Sequence, residues 1–515
     1  MNPELEIIKA VLMKSYDGLP YYLKACFLYL AIFPEDYMIL RRRLVRRWIA
    51  EGYSSEVRGK SMEEVLDGYF MELIGRSMIL PSQQSIHSRK GIDSCHVHDL
   101  IREIAISKSM EENLVFTLEE GCSLNNHGTV RHLTVSSNWK GDQCEFENIV
   151  DLSHVRSLTV FGNWRPFYIS DKMRLLRVLD LEGEWVLVDH HLQHIGKLVH
   201  LRYLSLRGHG DIFHLPNSLG NLKQLQTLDI SRTRIMKLPR MIIKLVKMQR
   251  IVASGMRRVH GVEVPRGIWK LKGLHTLRVV DISGGKAALE DIKRLTRLIK
   301  LGVTGINKRN GQGLYSAIAR LSSLESLSLD SYEETGLSSC LEGLPSPPQN
   351  LQSLKLIGNL VKLPEWIQGL KNLVKLKLER SRILEHDAAI QVLGSLRNLA
   401  TLRLLGDSFV GEEVRFSFCQ EAFLSLKVLQ LEWIGNLKSV GFEEGAAPKL
   451  ELLQFYKGLR SPGIGIFSGL AYLPSLKEFM LKESNWHDTE LVEDLRGQLA
   501  ENQNGPVLKS WSRWE

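Results

Sequence analysis

"LQSLKLIGNLVKLPEWIQGLKNLVKLKL", residues 351–378, contains one complete unit of the pattern that decides the fold. It begins and ends with LxxLxL, in which leucines alternate with other residues over the length of a short strand. Such alternation places two leucines on one side of the strand, and a single strand cannot bury them. Between the two copies, "LPEWIQGLKN" combines a Leu-Pro turn with apolar residues at helical spacing.

The pattern LxxLxL recurs along most of the chain. Clear copies begin at residues 176, 201, 225, 274, 298, 324, 351, 373, 399 and 426, and weaker copies begin at 130, 155, 248, 450 and 476. About fifteen copies with a period of about 24 residues are typical of a leucine-rich repeat, in which stacked neighbours bury one another's leucines. Each buried leucine contributes about 1.5 to 3 kcal/mol. We therefore predict an α/β repeat solenoid, shaped like a horseshoe, over residues 129–515.

The residues between the leucines of a repeat strand face the other, concave side of the sheet and vary without disturbing the core. The predicted concave positions include Tyr203, Ser205, Arg207, Asp229, Arg278, Lys300, Lys355, Lys375, Lys377, Glu379, Arg403, Gln430 and Glu432. The basic members form the predicted partner-binding set: Arg207, Arg278, Lys300, Lys355, Lys375, Lys377 and Arg403. Two interpretations stay open, a recognition surface or solvated charge that keeps the array soluble.

Composition and charge narrow the choice of compartment and partner. No signal peptide and no run of about eighteen apolar residues is present, so we expect no transmembrane segment. Six scattered cysteines without a CxxC pair, and the absence of any N-x-[ST] site, favour the cytoplasm, with the nucleus or the periphery of the plasma membrane as alternatives. Residues 1–110 hold 15 Lys and Arg against 14 Asp and Glu, so most of the net charge of +9 lies beyond them and favours an acidic partner.

The first 110 residues follow a different, helical pattern. "LPYYLKACFLYLAIFPEDYMILRRRLVRRWIAEGY", residues 19–53, predicts a helix, a short loop at "FPEDY" and a second helix from about Ile39. A later stretch places Met62, Val65, Leu66, Tyr69, Phe70, Leu73 and Ile74 on one helical face. We predict an α+β multi-domain chain with a winged-helix-like domain over residues 1–110, a linker over 111–128 and the repeats from 129.

The stretch "CHVHDLIREIA", residues 95–105, gathers two histidines, a cysteine and an aspartate into five positions. Tetrahedral zinc requires three or four ligands, one of them usually supplied from elsewhere in the chain, so we predict no metal site here. The following residues predict a helix with Asp99 near its amino terminus, where a carboxylate interacts favourably with the helix dipole.

Three motifs of this region together resemble a known family. "LKACFLYLAIFPEDYMI", "RRWIAEGY" and "VHDLIREIA" are similar, in order and spacing, to the C-terminal part of the NB-ARC module of plant nucleotide-binding leucine-rich repeat disease resistance proteins, particularly the coiled-coil class. The resemblance covers about residues 8–110. "VHDL" matches the family's Met-His-Asp motif, with Val97 in the place of methionine. The resemblance implies that His98 reaches the terminal phosphate of bound ADP, and that Asp99 helps to hold the closed, inactive state.

A nucleotide cannot be held by this motif alone. A phosphate-binding loop needs GxxxxGK[ST], whereas in "GYSSEVRGKS" Gly52 and Gly59 are seven positions apart, so Lys60 is not its lysine. We therefore expect no catalytic residues and no cofactor in this chain alone, with ADP or ATP bound only in full-length members of the family. The chain is interpreted as a truncated product, an incomplete gene model or one piece of a split receptor. The implied partners are a pathogen effector or a guarded host protein, and an NB-ARC domain, either intramolecular or split.

Two functions of other classes compete with an immune receptor. In the first, "RRRLVRRW" is a DNA recognition helix whose Arg41, Arg42, Arg43, Arg46 and Arg47 contact phosphates. Solvation of the arginines on a polar helix face explains them more simply, and we expect no nucleic acid partner. The second is a repeat scaffold or ubiquitin-ligase adaptor, which is disfavoured because no F-box-like segment is visible.

Overall fold

The chain divides into two compact units, the first comprising residues 1–258 with 270–274 and the second residues 259–269 with 275–515. The computed structural model describes residues 3–54, 57–84, 92–122, 129–149, 151–163, 165–181, 183, 187–255, 261–333, 336–338, 341, 348–457 and 464–511. The first unit therefore contains both the helical domain and the first repeats, which pack together as one compact body.

The N-terminal domain has a winged-helix arrangement, as predicted. Its elements are α1 (Pro3–Asp17), α2 (Tyr21–Leu28), β1 (Ile39–Leu40), α3 (Arg41–Glu51), α4 (Met62–Gly75), β2 (Leu80–Gln84), β3 (Ile92–His96) and α5 (Asp99–Glu111). The strands form a small antiparallel sheet in the order β1-β3-β2. The second predicted helix begins at Arg41, not at Ile39, because Ile39 and Leu40 pair with Cys95 and Ser94 of β3.

Local sequence signals fix the ends of these helices. Ser61 and Glu64 form a reciprocal cap at the start of α4: the Glu64 amide donates to Ser61 Oγ at 3.2 Å and the Ser61 amide to Glu64 Oε2 at 2.8 Å. Gly52 ends α3 at a φ of 87°, a left-handed conformation that glycine adopts without steric cost. These capping residues determine where α3 ends and where α4 begins.

The core of this domain is built from the predicted apolar helix faces. Phe27, Trp48, Leu66 and Phe70 are completely buried and belong to one hydrophobic cluster. Of the predicted face of α4, Val65, Leu66, Phe70 and Leu73 are buried, Tyr69 and Ile74 pack against the cluster from partly exposed positions, and Met62 is exposed. Met62 differs from the prediction because it is the first residue of the helix, beyond the edge of the core.

The first unit continues into a parallel sheet. Its strands are β4 (Val115–Leu118), β5 (His132–Val135), β6 (Ser157–Val160), β7 (Val178–Asp180), β8 (Tyr203–Ser205), β9 (Thr227–Thr233) and β10 (Arg250–Gly255), and each pairs with the next. Helix α6 (Gln143–Ile149) lies between β5 and β6 in the chain. Strand β4 lies inside the predicted linker, so the sheet begins before residue 129; residues 123–128 of that linker are outside the described residues.

The second unit contains the remaining repeats. Its elements are β11 (Thr276–Asp281), α7 (Lys286–Ile292), β12 (Lys300–Thr304), α8 (Gly311–Ile318), β13 (Ser326–Asp330), β14 (Ser353–Ile357), β15 (Lys375–Glu379), α9 (His386–Gly394), β16 (Thr401–Leu405), β17 (Val414–Phe418), β18 (Val428–Glu432), β19 (Leu437–Phe442), β20 (Leu452–Tyr456), β21 (Phe467–Ser468), β22 (Glu478–Lys482), α10 (Thr489–Ala500) and β23 (Val507–Trp511). Strands β11 to β16, β18, β20, β22 and β23 form one parallel sheet, and β17, β19 and β21 form a second.

The leucines of the pattern form the core of the repeats, which confirms the predicted fold class. Leu354, Leu356, Leu376 and Leu378 are at most 1% exposed. The opposite side of the strands is not buried equally along the chain. In β14 and β15 buried leucines alternate with half-buried residues, whereas every described residue of β5, β6, β7 and β8 is buried. Something therefore covers both faces of the sheet in the first unit.

Among the helices of the described residues, none has the length and hydropathy needed to cross a lipid bilayer.

Candidate functional site

The predicted nucleotide-sensing pair lies at the surface of the winged-helix domain. His98 is the amino-terminal cap of α5, and its Nδ1 accepts a hydrogen bond of 3.3 Å from the Leu100 amide. This bond leaves Nε2 as the donor nitrogen of the neutral ring. Asp99 is the first residue of the helix, and both side chains are exposed. The arrangement presents a donor and a carboxylate to any domain that docks on this helix end, and it equally fits a simple helix cap.

The other residues of that stretch do not gather around His98. Cys95 is completely buried in the hydrophobic cluster, and His96 Nδ1 lies 3.3 Å from the Ser82 hydroxyl. Within the described part of the chain, no three His, Cys, Asp or Glu side chains come together in a way that would hold a metal ion.

Helix α3 covers the non-leucine face of the first repeats. Its Arg43 Nε and Arg47 Nη1 both donate to Oδ2 of Asp180 at the end of β7, at 2.8 and 2.9 Å. Arg47 also donates to the Thr159 hydroxyl on β6 and, through Nε, to the Tyr29 hydroxyl at 2.9 Å. The side chains of Arg47 and Asp180 are completely buried. A single carboxylate thus holds two guanidinium groups where no solvent screens the charges.

This geometry corrects the explanation of the arginine-rich stretch. Arg41, Arg43 and Arg47 are at most 7% exposed, and only Arg42 is fully exposed, so solvation does not account for them. Each buried arginine has a protein carboxylate: Arg41 Nε lies 2.7 Å from Asp67, and the other two share Asp180. The following helix α4 carries four acids and no base, a charge that phosphates would repel. The structure therefore does not favour DNA binding.

Beside the arginines lies a buried pair of titratable groups, Glu51 and His132. Glu51 Oε1 is 3.7 Å from His132 Nδ1, and neither atom has a hydrogen-bond partner among the described residues. Burial raises the pKa of Glu51 to about 7, although the surrounding arginines oppose the shift. Burial, followed by Arg47 and Arg131, lowers the pKa of His132 to about 3, so the imidazole stays neutral. The Tyr53 hydroxyl lies 2.7 Å from His132 Nε2.

Helix α3 buries several concave positions that were predicted to be accessible. Tyr203, Ser205 and Asp229 are at most 8% exposed, and Tyr203 forms a small cluster with Ala50 of α3 and Val178. These residues were expected to be accessible, but α3 covers the strands that carry them. Arg207 is half-buried and lies in the turn that follows β8, not in the strand.

The predicted basic residues of the second unit separate into two groups. Strand pairing places Lys355 beside Lys377 and Lys377 beside Arg403, so the central positions of β14, β15 and β16 are all basic and half-buried. We call Lys355, Lys377 and Arg403 the basic row. Lys375 occupies the first position of β15, two residues before Lys377, and extends it. Arg278 and Lys300, on β11 and β12, are separated from the row by Ser326 and Ser328 of β13.

Acidic side chains border the basic row at the carboxyl ends of its strands. Lys377 Nζ lies 2.5 Å from Glu379, and Glu432 and Gln430, both at most 7% exposed, hydrogen-bond to each other. The surface is therefore mixed at this edge. Gln430 and Glu432, which were expected to be accessible, are covered by their neighbours.

A cleft opens where β13 to β16 end. The Arg380 guanidinium lies 4.4 Å from the centre of the Tyr332 ring, and its Nη2 is 3.7 Å from Asp330. Burial raises the pKa of Asp330 to about 6, although the Tyr332 hydroxyl and Arg380 oppose the shift. The cleft has a volume of about 390 Å3 and is also lined by Arg382 and Asp407. Sequence analysis missed it, because Tyr332 and Arg380 lie outside the LxxLxL pattern.

Comparison with known proteins shows what this arrangement is similar to. The family model described as a leucine-rich repeat region matches residues 154–508, and the model described as a disease resistance protein winged helix domain matches residues 32–105. Disease resistance protein Pik-2 of Oryza sativa subsp. japonica is 29% identical over 550 residues, covering 96% of this chain and 53% of that protein. A probable disease resistance protein of Arabidopsis thaliana is 30% identical over 486 residues, covering 92% and 53%.

The chain spans about half the length of the curated relatives it matches. Among solved structures, a leucine-rich repeat protein of Leptospira interrogans aligns with 78% of this chain and 98% of its own, at 17% identity and a TM-score of 0.42. The two family models cover the two regions that the structure contains, the winged-helix domain and the repeats.

Asp180 should be critical for the stability of the first unit. Asp180→Asn leaves two buried guanidinium groups without the carboxylate they share, which should lower the free energy of unfolding by about 3 to 5 kcal/mol. The matched control is Asp211→Asn, which removes a carboxylate that is half-exposed and 3.8 Å from Arg234. It should cost less than about 1 kcal/mol. Denaturant unfolding of both variants measures the difference, and equal losses would contradict the assignment.

Glu51 and His132 should give opposite pH dependences. A carboxyl whose pKa rises from 4.5 to about 7 on folding stabilises the protein at low pH, and this contribution is lost as the pH rises through that range. An imidazole whose pKa falls from 6.5 to about 3 stabilises it above pH 6.5, and this contribution is lost as the pH falls. In the parent protein the two slopes oppose each other between pH 4.5 and 6.5.

Single substitutions should therefore reveal each slope. Relative to the parent protein, Glu51→Gln should gain stability as the pH rises from 4.5 to 7, and His132→Gln should gain stability as the pH falls from 6.5. Chemical unfolding of the three proteins across this range provides the measurement. Parallel pH curves for all three would show that the two groups are not perturbed.

Proposed function

Because the chain belongs to the leucine-rich repeat disease resistance proteins, we propose that it is the recognition and autoinhibition part of an intracellular plant immune receptor. One observation carries the proposal: the repeats use their non-leucine face in two ways. In the first unit that face is covered by α3, whereas in the second unit Lys355, Lys377 and Arg403 remain half-exposed. One set of repeats restrains the winged helix and the other is available to a partner.

The proposed partner of the basic row is the acidic surface of a pathogen effector or of a guarded host protein. Neighbouring parallel strands lie about 4.8 Å apart, so the three side chains form a continuous track. The adjoining cleft contributes Tyr332 and Arg380, and tyrosine and arginine are residue types that dominate binding energy in protein interfaces. Charge attraction along the track should steer association, and the cleft should supply the specific contacts.

The proposed restraint acts through α3 and the exposed end of α5. Docking of α3 on Asp180 holds the winged helix on the first repeats. His98 and Asp99 are then presented to an NB-ARC domain, whether intramolecular or on a split partner, and ADP is the ligand that they would sense there. The chain itself is proposed to act as a receptor and not as an enzyme, in the cytoplasm.

The competing functions receive less support. The arginines proposed for DNA are held by Asp67 and Asp180, so a nucleic acid partner is not proposed. A scaffold or ubiquitin-ligase adaptor would also use a repeat surface, but the curated relatives are named disease resistance proteins. No observation on the repeats favours an adaptor over a receptor.

The basic row should be required for partner association but not for folding. Replacing Lys355, Lys377 and Arg403 together by Glu should weaken binding of the effector or guarded protein and remove its dependence on salt, because screened charge attraction is lost. The control replaces the exposed Lys362, Lys371 and Arg397 of the same repeats by Glu. Surface substitutions of this kind usually change stability by less than about 0.5 kcal/mol each.

Co-precipitation with the partner and a thermal melt separate the two effects. Loss of binding in the row variant alone, with unchanged melting, supports the assignment. Full binding by a well-folded row variant would show that the row is only solvated charge and that the recognition surface lies elsewhere.

His98 should matter only when a nucleotide domain is joined to the chain. In such a full-length receptor, His98→Ala or Asp99→Val should favour the active state, because each removes a contact made in the closed ADP form. A hydrogen bond to a charged phosphate contributes about 1.5 to 3 kcal/mol, which is roughly a tenfold to hundredfold change in population. The readout is leaf cell death without a pathogen, with His154→Ala as a matched exposed histidine. Quiet receptors at equal protein levels would speak against the switch.

A further inference from the structure

Four arginines occupy the same position in four consecutive repeats of the first unit. Arg131, Arg156, Arg177 and Arg202 each directly precede a strand, β5 to β8, and the first residues of these strands are register partners. The amides of Arg156, Arg177 and Arg202 each donate to the carbonyl of the preceding arginine, at 2.6 to 2.8 Å. Their backbones are therefore spaced by about 4.8 Å, the distance between neighbouring strands. We call these four residues the arginine ladder.

No carboxylate of the described residues forms an ion pair with the ladder within 4.0 Å. Arg177 Nη1 donates to the Glu51 carbonyl at 2.7 Å and Arg202 Nη1 to the Ala50 carbonyl at 3.3 Å, so these two bind the carboxyl end of α3. Carbonyl groups there carry only the partial negative charge of the helix dipole. Arg131 is exposed and Arg156 is half-buried. Burial first, and then the like charges of Arg177 and Arg131, lower the pKa of Arg156.

A cleft on the same edge of the sheet adds further cations. It has a volume of about 500 Å3 and is lined by Asp171, Lys172, Arg174, Lys197, Val199 and His200. These residues lie in the two turns that enter β7 and β8, a few positions before Arg177 and Arg202. Two of the cations are paired, Lys172 with Glu147 and Lys197 with Asp171. The edge still has more positive than negative side chains.

The buried carboxyl group of Glu51 lies near the ladder and affects how well its charge is neutralised. Glu51 is 4% exposed, lies under the field of Arg177, Arg156 and Arg202, and leaves Oε1 without a hydrogen-bond partner. Burial raises the pKa of this carboxyl group to about 7, so it is a weaker counter-charge for the arginines than an exposed glutamate. Positive charge confined between like charges and a low-dielectric interior attracts an anion from solution.

We propose that the amino edge of β5 to β8, formed by the arginine ladder and the adjoining cleft, binds a ligand that carries several phosphate groups. The guanidinium fork matches the geometry of phosphate oxygens and donates two parallel hydrogen bonds, which a row of guanidinium groups repeats along the edge. The ligand is either a soluble polyphosphorylated molecule or the headgroup of a phosphorylated lipid, because both present the same oxyanions. This site is independent of the basic row and of the proposed recognition partner.

The test uses the full chain and a double substitution that keeps the hydrogen bonds of Arg177 and Arg202 to α3. Arg131→Gln with Arg156→Gln removes the other two ladder residues. The control is Arg240→Gln with Lys244→Gln, two exposed cations on a 3-10 helix of the same unit. Both variants lose two positive charges, so a general effect of net charge changes them equally. Thermal melts establish that both are folded.

Calorimetry with inorganic tripolyphosphate, and sedimentation with vesicles containing a phosphatidylinositol bisphosphate, distinguish the two sources. Binding in either assay that weakens at least about tenfold in the ladder variant, and less than about twofold in the control, supports the site. Binding of tripolyphosphate identifies a soluble ligand as sufficient, and binding of vesicles alone identifies a lipid headgroup. No binding in either assay, equal losses in both variants, or capture of polyglutamate in preference to both phosphate probes would overturn it.

Discussion

Most strands of the parallel sheets carry apolar residues, usually leucines, on one face, and the stacking of neighbouring repeats buries them. A strand of about five residues is too short to bury them by folding on itself, so the structure forms by stacking. This constraint explains why Leu354, Leu356, Leu376 and Leu378 are all buried, and why the residues between them point away from the core. Stacking does not cover the opposite face of each sheet. What covers that face decides what each group of repeats does.

In the first unit the face opposite the leucines is covered by charged side chains and by aromatic ones, since Phe33 and Tyr37 pack against Phe161. Arg43 and Arg47 reach Asp180 from α3, and Arg177 and Arg202 reach back to the end of the same helix. Buried ion pairs offset a large desolvation cost only when their geometry is good, so an interface of this kind is specific more than it is strong. Such an interface suits the restraint that we propose for this domain, because it fixes one orientation. Ala50, Val178 and Tyr203 add an apolar contact to it.

The repeats carry positive charge at an edge of the sheet in the first unit and on a face of the sheet in the second. In the first unit the arginine ladder stands at the amino ends of the strands, whereas in the second unit the basic row occupies their centres. Because acids border the row but do not pair with the ladder, the two surfaces suit different ligands. The proposed partner of the row is an acidic protein surface, and the proposed ligand of the ladder is an oxyanion. A repeat protein allows this division, because each repeat carries its own surface residues without altering its neighbours.

The sequence by itself determined the repeat fold, the winged-helix region and the alternation of core and surface in the strands, because all three depend on local periodicity. It also placed His98 and Asp99 at a helix start, since capping residues act within one turn. The tertiary structure alone decided which strand residues are accessible. Tyr203 and Lys375 occupy the same position in their repeats, yet one is buried and the other is half-exposed, because α3 lies over Tyr203. The arginines of α3 likewise acquired their role only from Asp180, a residue more than 130 positions away whose proximity no local pattern encodes.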